Sequence, residues 1–133
     1  MIFNTSNAQQ INSNDVYLHD DLFVGLNFER ESFKAAFICF NHKSGEYTVT
    51  FSDVIGLELT ACEFWGAGSN IFDFEYIDPT ERVLIPKLHE EYKKYTKPGW
   101  PLIDNENYIE TLLTLSSGDQ YRVACKTVQI ERA

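Results

Sequence analysis

The amino-acid sequence predicts an α+β domain that is rich in β-structure, with about six to eight mostly antiparallel strands and one helix. Apolar and polar residues alternate along most of the chain, and short turns connect the alternating segments. Only residues 86–97 show helical spacing. Sequential strands joined by short turns favour antiparallel pairing. The preferred arrangement is one curved sheet covered by the helix, and the alternative is a two-sheet β-sandwich with an appended helix.

Five strand segments are predicted before the helix. Asp20 interrupts the alternation of the first segment, residues 16–28, which therefore forms one bent strand or two short ones. In the fourth segment, residues 54–64, Gly56 indicates a bulge or a point of close approach. A turn at 41–45 joins the second and third segments as a hairpin. The five segments are 16–28, 33–40, 46–51, 54–64 and 72–76.

The helix is predicted to begin near Pro86, because proline is tolerated in the first helical turn. Pro98 and Gly99 end it after Lys97. Spacings of four and three residues place an apolar stripe on one face. The stripe consists of Leu88, Tyr92 and Tyr95. A second hairpin follows, formed by residues 108–115 and 121–130 around a turn at 116–119.

Length and composition predict a single domain spanning residues 1–133. The polar composition of residues 1–14 allows a flexible N-terminal segment. This segment has neither the basic start nor the apolar run of a secretory signal, and no apolar run is long enough to span a membrane. Three cysteines, an odd number, favour buried thiols over a disulfide framework. A cytoplasmic protein is therefore predicted.

The densest cluster of titratable groups is His19-Asp20-Asp21. In a strand, His19 and Asp21 would project from one face, as a general base with its orienting carboxylate or as two metal ligands. No second ligand-rich motif occurs, so neither a metal nor another cofactor is predicted. The alternative is a local role, in which His19 makes a hydrogen bond and an aspartate stabilises a bend.

Charge is distributed unevenly along the chain. Eleven Lys and Arg against twenty Asp and Glu give a net charge of −9, which argues against a nucleic-acid-binding protein. No Lys or Arg occurs between Lys43 and Arg82. The acidic residues of this stretch would form a face that binds a basic partner, or alternatively they would serve only to keep the protein soluble. The candidate partner-binding residues are Glu46, Glu58, Asp73 and Glu75, with Trp65 and Trp100 as interface anchors or as caps of the core.

Three segments carry a resemblance to a known group of proteins. They are Tyr17-Leu18-His19-Asp20 before a strand, Thr50-Phe51-Ser52-Asp53-Val54-Ile55-Gly56-Leu57 in the middle and Leu115-Ser116-Ser117-Gly118-Asp119-Gln120-Tyr121-Arg122-Val123 near the end. The chain thereby resembles small bacterial β-rich domains, among them immunity proteins of polymorphic toxin systems and related uncharacterised families. The resemblance implies a cytoplasmic, non-enzymatic domain that binds and blocks a toxin, and it transfers no catalytic residues.

Two functions follow as expectations. The first is a protein-binding module that engages a basic partner through its acidic face, without membrane or nucleic-acid binding. The alternative is a small-molecule-binding domain or an enzyme with a pocket near His19 and Asp21, lined by Tyr108 or Trp100. The absence of a recognisable catalytic motif favours the first.

Overall fold

Two antiparallel sheets, one of five strands and one of four, form the fold of this protein. The computed structural model describes residues 1–60, 69–95, 97 and 103–132, and within these ranges it contains nine strands and one α-helix. The predicted β-rich α+β class is confirmed. Of the two arrangements considered, the two-sheet one is observed.

The five-stranded sheet has the order β1-β9-β4-β3-β2, and the four-stranded sheet has the order β5-β8-β7-β6. Every pair of neighbouring strands is antiparallel. The strands are β1 Ile2–Phe3, β2 Leu22–Glu29, β3 Lys34–Asn41, β4 Gly45–Ser52, β5 Gly56–Leu59, β6 Ile71–Tyr76, β7 Ile109–Leu115, β8 Gln120–Cys125 and β9 Thr127–Arg132.

A bent two-stranded ribbon carries the chain from one sheet to the other. The β4–β9 pair belongs to the five-stranded sheet, and its continuation is the β5–β8 pair of the four-stranded sheet. Residues 53–55 lie opposite residues 125–126 at the bend, so one strand has an extra residue there. A strand that changes sheets at such a bend is typical of sheets that meet at a corner.

The opposite edges of the two sheets also meet. The backbone N–H groups of Asp20 and Phe23 donate to the carbonyls of Ile71 and Ser69, at 2.8 and 2.9 Å. Ile71 donates in return to the carbonyl of Asp21 at 2.7 Å. The start of β2 is thereby joined to the start of β6, which leaves less unpaired strand edge at this side.

The core lies between the sheets and contains a connected group of aromatic rings. Phe37 contacts Phe51 within the five-stranded sheet, with ring centroids 4.8 Å apart. Phe23 stacks on Tyr121 of the four-stranded sheet at 4.9 Å, and Phe51 contacts Phe74 at 6.3 Å. Aromatic pairs at these separations stabilise a core beyond their buried area. One continuous core therefore extends through both sheets.

The helix α1 spans Leu84–Tyr95 and begins two residues before Pro86. Pro86 is its third residue, where the missing N–H breaks no helical hydrogen bond. Leu84 and Ile85 are its buried residues. Tyr95, predicted on the apolar stripe, is 80% exposed, because α1 packs on the sheet through its first half.

The N-terminal segment 1–14 is packed against the rest of the fold. β1 pairs with β9, and a 3-10 helix follows at Ala8–Asn12. Ala8 and Ile11 are completely buried. Phe3, Ala8 and Ile11 are the buried residues that hold this largely polar stretch on the core.

Several predicted strands differ from the observed ones. The segment predicted at 121–130 forms two strands, β8 and β9, which belong to different sheets, and the described part of the segment predicted at 54–64 is a strand only at Gly56–Leu59. The segment predicted at 16–28 contains only β2, because residues 18–21 form a turn. The alternation predicted for 72–76 is broken by a register shift between Ile71 and Asp73, which leaves Phe72 61% exposed. Gly56, predicted as a point of close approach, does lie against Leu88 of α1.

Candidate functional site

The turn at residues 18–21 brings the His19-Asp20 pair onto strand β6. The Asp21 N–H donates to the Leu18 carbonyl at 3.1 Å, and Asp20 has a left-handed φ of 70°. Aspartate tolerates this conformation better than most residues do. The prediction that His19 and Asp21 project from one face of a strand is therefore wrong, since strand alternation does not apply within a turn.

His19 is held by β6. Its Nδ1 lies 2.6 Å from the Phe72 carbonyl oxygen, which can only accept, so Nδ1 carries the proton and donates. Its Nε2 lies 3.5 Å from Asp20 Oδ1. The imidazole also contacts the rings of Tyr17 and Phe72, with centroids 5.9 and 5.8 Å away. His19 thus positions two aromatic neighbours at the surface.

Asp21 points away from His19 into a separate buried cluster. It accepts hydrogen bonds from the Tyr47 hydroxyl at 2.5 Å and from Asn41 Nδ2 at 2.8 Å. Burial, and then the hydrogen bond to Asp21, raises the pKa of Tyr47. Burial also raises the pKa of the adjacent Cys39 thiol to about 12, which keeps it protonated and unreactive at neutral pH. These contacts stabilise the fold.

We name as the aromatic–acidic surface the group of side chains that this turn and β6 place together. Tyr17 and Phe72 are 70% and 61% exposed. Phe72 is exposed because of the bulge in β6, which the sequence does not signal. The surface consists of Tyr17, His19, Asp20, Phe72, Asp73 and Glu75.

Two carboxylates of the aromatic–acidic surface, those of Asp73 and Glu75, repel each other. Partial burial raises the pKa of Glu75, as do the neighbouring Asp73 and, more weakly, Glu81. Arg122 has the opposite effect. None of the ion pairs among the described residues uses Asp73 or Glu75. The negative charge of this surface is thus incompletely balanced.

The other two predicted acidic residues lie elsewhere. Glu58 is on β5, in the same row of the four-stranded sheet as Glu75, but it forms an ion pair with Lys87 of α1 at 2.8 Å. That hydrogen bond lowers the pKa of Glu58. Glu46 lies on β4 of the five-stranded sheet, exposed on the face away from the core. The four carboxylates therefore do not form one face. Trp65 and Trp100 lie outside the described residues.

The pocket predicted near His19 and Asp21 is small. A cavity of about 160 Å³ is lined by Asp21, Tyr47 and Arg132, and His19 does not line it. A cleft with a volume of about 520 Å³ lies at the bend between the sheets. Tyr108 lines this second cleft, far along the chain from His19.

A third polar cluster, which no sequence motif indicates, lies at the start of α1. Glu110 is completely buried and accepts from the backbone N–H groups of Val83 and Ile85 at 3.0 and 2.8 Å. Arg122 Nη1 donates to the same carboxylate at 2.8 Å. Every described contact of Glu110 is structural, so we assign it to the fold.

The class of protein that these observations define is a small β-rich domain with exposed aromatic and acidic side chains at one sheet edge. Within the described ranges, no group of three or more His, Cys, Asp or Glu side chains is arranged to hold a metal ion. No helix in those ranges has both the length and the apolar composition needed to cross a bilayer. No protein-family model matches the chain, and no curated protein is significantly similar to it.

Proposed function

We propose that this protein is a cytoplasmic protein-binding module that engages a basic partner through the aromatic–acidic surface, in the manner of an immunity protein that blocks a toxin. The observation that carries the proposal is the juxtaposition of two exposed aromatic rings with carboxylates that form no ion pair among the described residues. Tyr17 and Phe72 flank the His19 ring, and Asp73 and Glu75 follow Phe72 on β6.

The aromatic residues would supply most of the binding energy. Large aromatic side chains are enriched among the interface residues whose truncation costs the most. Tyr17 and Phe72 are already held in place by the His19 ring, which is itself fixed by its hydrogen bond to the Phe72 carbonyl. Side chains that are ordered before binding lose less conformational entropy when a partner covers them.

The carboxylates would select a basic partner. Asp73 and Glu75 are two residues apart on β6 and therefore lie on the same face of the strand. The raised pKa of Glu75 reflects their repulsion in addition to burial. Lys or Arg side chains of a partner would relieve this repulsion. Complementary charge also accelerates association, and this effect weakens as salt screens it.

The proposal is tested by photo-crosslinking in the cells that make this protein. A photoreactive phenylalanine analogue is placed at Tyr17 or Phe72, and at Val83 as a control, because Val83 is 53% exposed at the start of α1. We expect a covalent adduct with one basic protein from the first two positions and none from Val83. Adducts with acidic proteins, equal labelling from Val83 or no adduct would contradict the proposal.

The captured protein is then purified and its affinity is measured at low and high salt. Asp73→Lys is expected to weaken binding by about tenfold or more and to reduce its salt dependence, and Phe72→Ala to weaken it at both salt concentrations. Glu46→Lys is the matched control, since Glu46 lies on the other sheet. Expression of the captured protein alone tests the immunity role: it should be toxic and should be neutralised by the wild-type protein but not by Phe72→Ala.

A further inference from the structure

We infer that the cleft at the bend between the two sheets binds a small organic anion with an aromatic or apolar body. We call it the corner cleft, and its volume is about 520 Å³. It lies between the tip of the β2–β3 hairpin, the β4–β5 connection and residues near the start of β7 and β9. The side chains that carry the argument are Phe28, Arg30, Phe33, Asp53, Tyr108 and Lys126.

The walls of the corner cleft are mostly apolar. Phe28 and Phe33 are 43% and 56% exposed, and both lie at the hairpin tip. Tyr108 also lines the cleft, and the Nζ atom of Lys126 is 5.7 Å from the centre of its ring. Pockets of 300–1,000 Å³ that combine apolar walls with a few polar groups are typical of small-molecule sites. An aromatic ligand would therefore fit between these rings.

The charge of the corner cleft is opposite in sign to that of the protein. Arg30 and Lys126 line it against one carboxylate, Asp53, although the whole chain has a net charge of −9. Neither Arg30 nor Lys126 takes part in an ion pair among the described residues. Two unpaired cations beside an apolar wall are complementary to a carboxylate, sulfonate or phosphate attached to a ring.

Backbone strain is concentrated at the same place. Phe33 and Asp53 have φ values of 52° and 54°, and in the described residues Asp20 is the only other non-glycine residue with a positive φ. Phe33 directly precedes β3 and Asp53 directly follows β4, so both lie just beyond the last pair of the β3–β4 ladder, and the Val54 N–H donates to the Phe33 carbonyl at 2.9 Å. A left-handed φ is a genuine outlier for a bulky residue. Strained residues that cluster in a cleft are characteristic of binding sites.

The strain has a direct consequence for Phe33. Its conformation keeps an aromatic ring exposed at the cleft, where a ring contributes nothing to the core. Glycine would adopt the same φ without steric cost. Phe33→Gly should therefore leave the fold at least as stable as the wild type while removing one wall of the site, a combination that a purely structural role for Phe33 does not produce.

The test uses indole-3-acetate as the anionic probe and tryptamine as its cationic counterpart, with the ¹H–¹⁵N NMR spectrum as readout. Indole-3-acetate at about 1 mM is expected to shift the amides of residues 28–33 and 53–57 and that of Lys126, whereas tryptamine should not. Equal shifts with both probes, shifts elsewhere or no shifts at all would overturn the inference.

Variants connect the shifts to the named side chains. Arg30→Met combined with Lys126→Met should weaken binding of indole-3-acetate by about tenfold or more. Lys43→Met, which removes a cation from the turn between β3 and β4, is the matched control and should have no effect.

Phe33→Gly should lose binding with its melting temperature unchanged or raised. Unchanged binding in the double variant or in Phe33→Gly would refute the site, and Asp73→Lys, which tests the aromatic–acidic surface, should leave binding to the cleft intact.

Discussion

A single buried carboxylate determines where the helix begins. Glu110 accepts from the N–H groups of Val83 and Ile85, two of the donors that a helix start leaves without an intrahelical partner. Pro86 has no N–H to satisfy. The positive end of the helix and the Arg122 guanidinium both lie beside this carboxylate. Removing Glu110 would leave these groups without their acceptor.

We expect Glu110→Gln to lower the free energy of unfolding by about 2–4 kcal/mol, because it removes the partner of a charged group in a buried site. Arg122→Met should cost less, since the carboxylate keeps both backbone donors and the methionine keeps an apolar stem. Urea unfolding at pH 7 measures both. Equal losses in the two variants, or a loss below about 0.5 kcal/mol for Glu110→Gln, would contradict this role.

The raised pKa of Glu75 predicts how stability depends on pH. The folded protein holds a proton on Glu75 more tightly than the unfolded chain does, so the contribution of this group is favourable at low pH. It is lost as the pH rises through the raised pKa. Glu75→Gln should therefore increase the free energy of unfolding at pH 7, and the gain should shrink as the pH falls through the raised pKa and be gone below 4.5, the ordinary value.

Urea unfolding from pH 3 to 8 tests this dependence, and NMR titration follows the Glu75 carboxyl directly. In Asp73→Asn the pKa of Glu75 should move down, because one cause of its elevation is gone. A gain from Glu75→Gln that is the same at every pH would show that repulsion and desolvation of the carboxylate are not its source.

At the scale of elements, a glycine allows α1 to approach the four-stranded sheet. A Cβ atom added to Gly56 would lie 2.5 Å from Leu88 Cδ1 and 3.3 Å from its Cγ. Ala124, which pairs with Gly56 across β5 and β8, is also small and completely buried. Small residues on two adjacent strands form the surface on which the first half of the helix packs.

Gly56→Val is expected to destabilise the protein by about 1–3 kcal/mol, because its side chain and that of Leu88 would occupy the same space. Gly56→Ala should cost less, since the end of the Leu88 side chain can rotate away. Leu88→Ala in the Gly56→Val background should recover part of the loss, and a double-mutant cycle by thermal unfolding measures this coupling. Additive effects of the two substitutions would show that the residues do not compete for space.

The elements that local signals define were predicted well. The hairpin turn at 41–45 ends in Gly45 with φ 82°, and the turn at 116–119 contains Gly118 with φ 93°. Glycine adopts such angles without steric cost, which is why the sequence marks these turns. The start of α1 was placed two residues late because its cap, Glu110, comes from a strand that follows the helix.

For the whole molecule, the N-terminal segment covers one edge of each sheet. β1 pairs with β9 at an edge of the five-stranded sheet. Asn12 pairs with β6 of the four-stranded sheet: its Nδ2 donates to the Tyr76 carbonyl at 2.9 Å, and its Oδ1 accepts from the Tyr76 N–H at 2.8 Å. The Asn12 side chain thus makes the hydrogen bonds that a neighbouring strand would make to Tyr76. Because exposed strand edges promote aggregation, this contact protects the edge of β6.

Ile11→Ala should destabilise the protein by about 2–4 kcal/mol, since Ile11 is completely buried. Asn12→Ala should cost about 1–2 kcal/mol, because it removes both hydrogen bonds to Tyr76. The control is Gln10→Ala on the exposed side of the same 3-10 helix, with an expected change below about 0.5 kcal/mol. Denaturant unfolding measures all three. A small effect of Ile11→Ala would mean that this segment is not part of the folding unit.

The candidate sites were only partly predictable. The importance of His19, Asp20, Asp73 and Glu75 was inferred from their residue types, but nothing in the sequence indicated that the turn and β6 would bring them together. The alternating pattern places Phe72 on the same side as Phe74 and Tyr76, but Phe72 is exposed because a bulge shifts the register of β6 there. The residues of the corner cleft come from four separate parts of the chain and share no motif.

The amino-acid sequence by itself determined the β-rich class, the two hairpin turns, the single helix and the net charge, because these depend on residues close together in the chain. The tertiary structure alone decided which charges meet. It paired Glu58 with Lys87, placed Glu46 on the other sheet and left Asp73 and Glu75 beside exposed aromatic rings. Whether a carboxylate is neutralised or available depends on which side chains pack beside it, and those neighbours are brought there by strand pairing between distant segments.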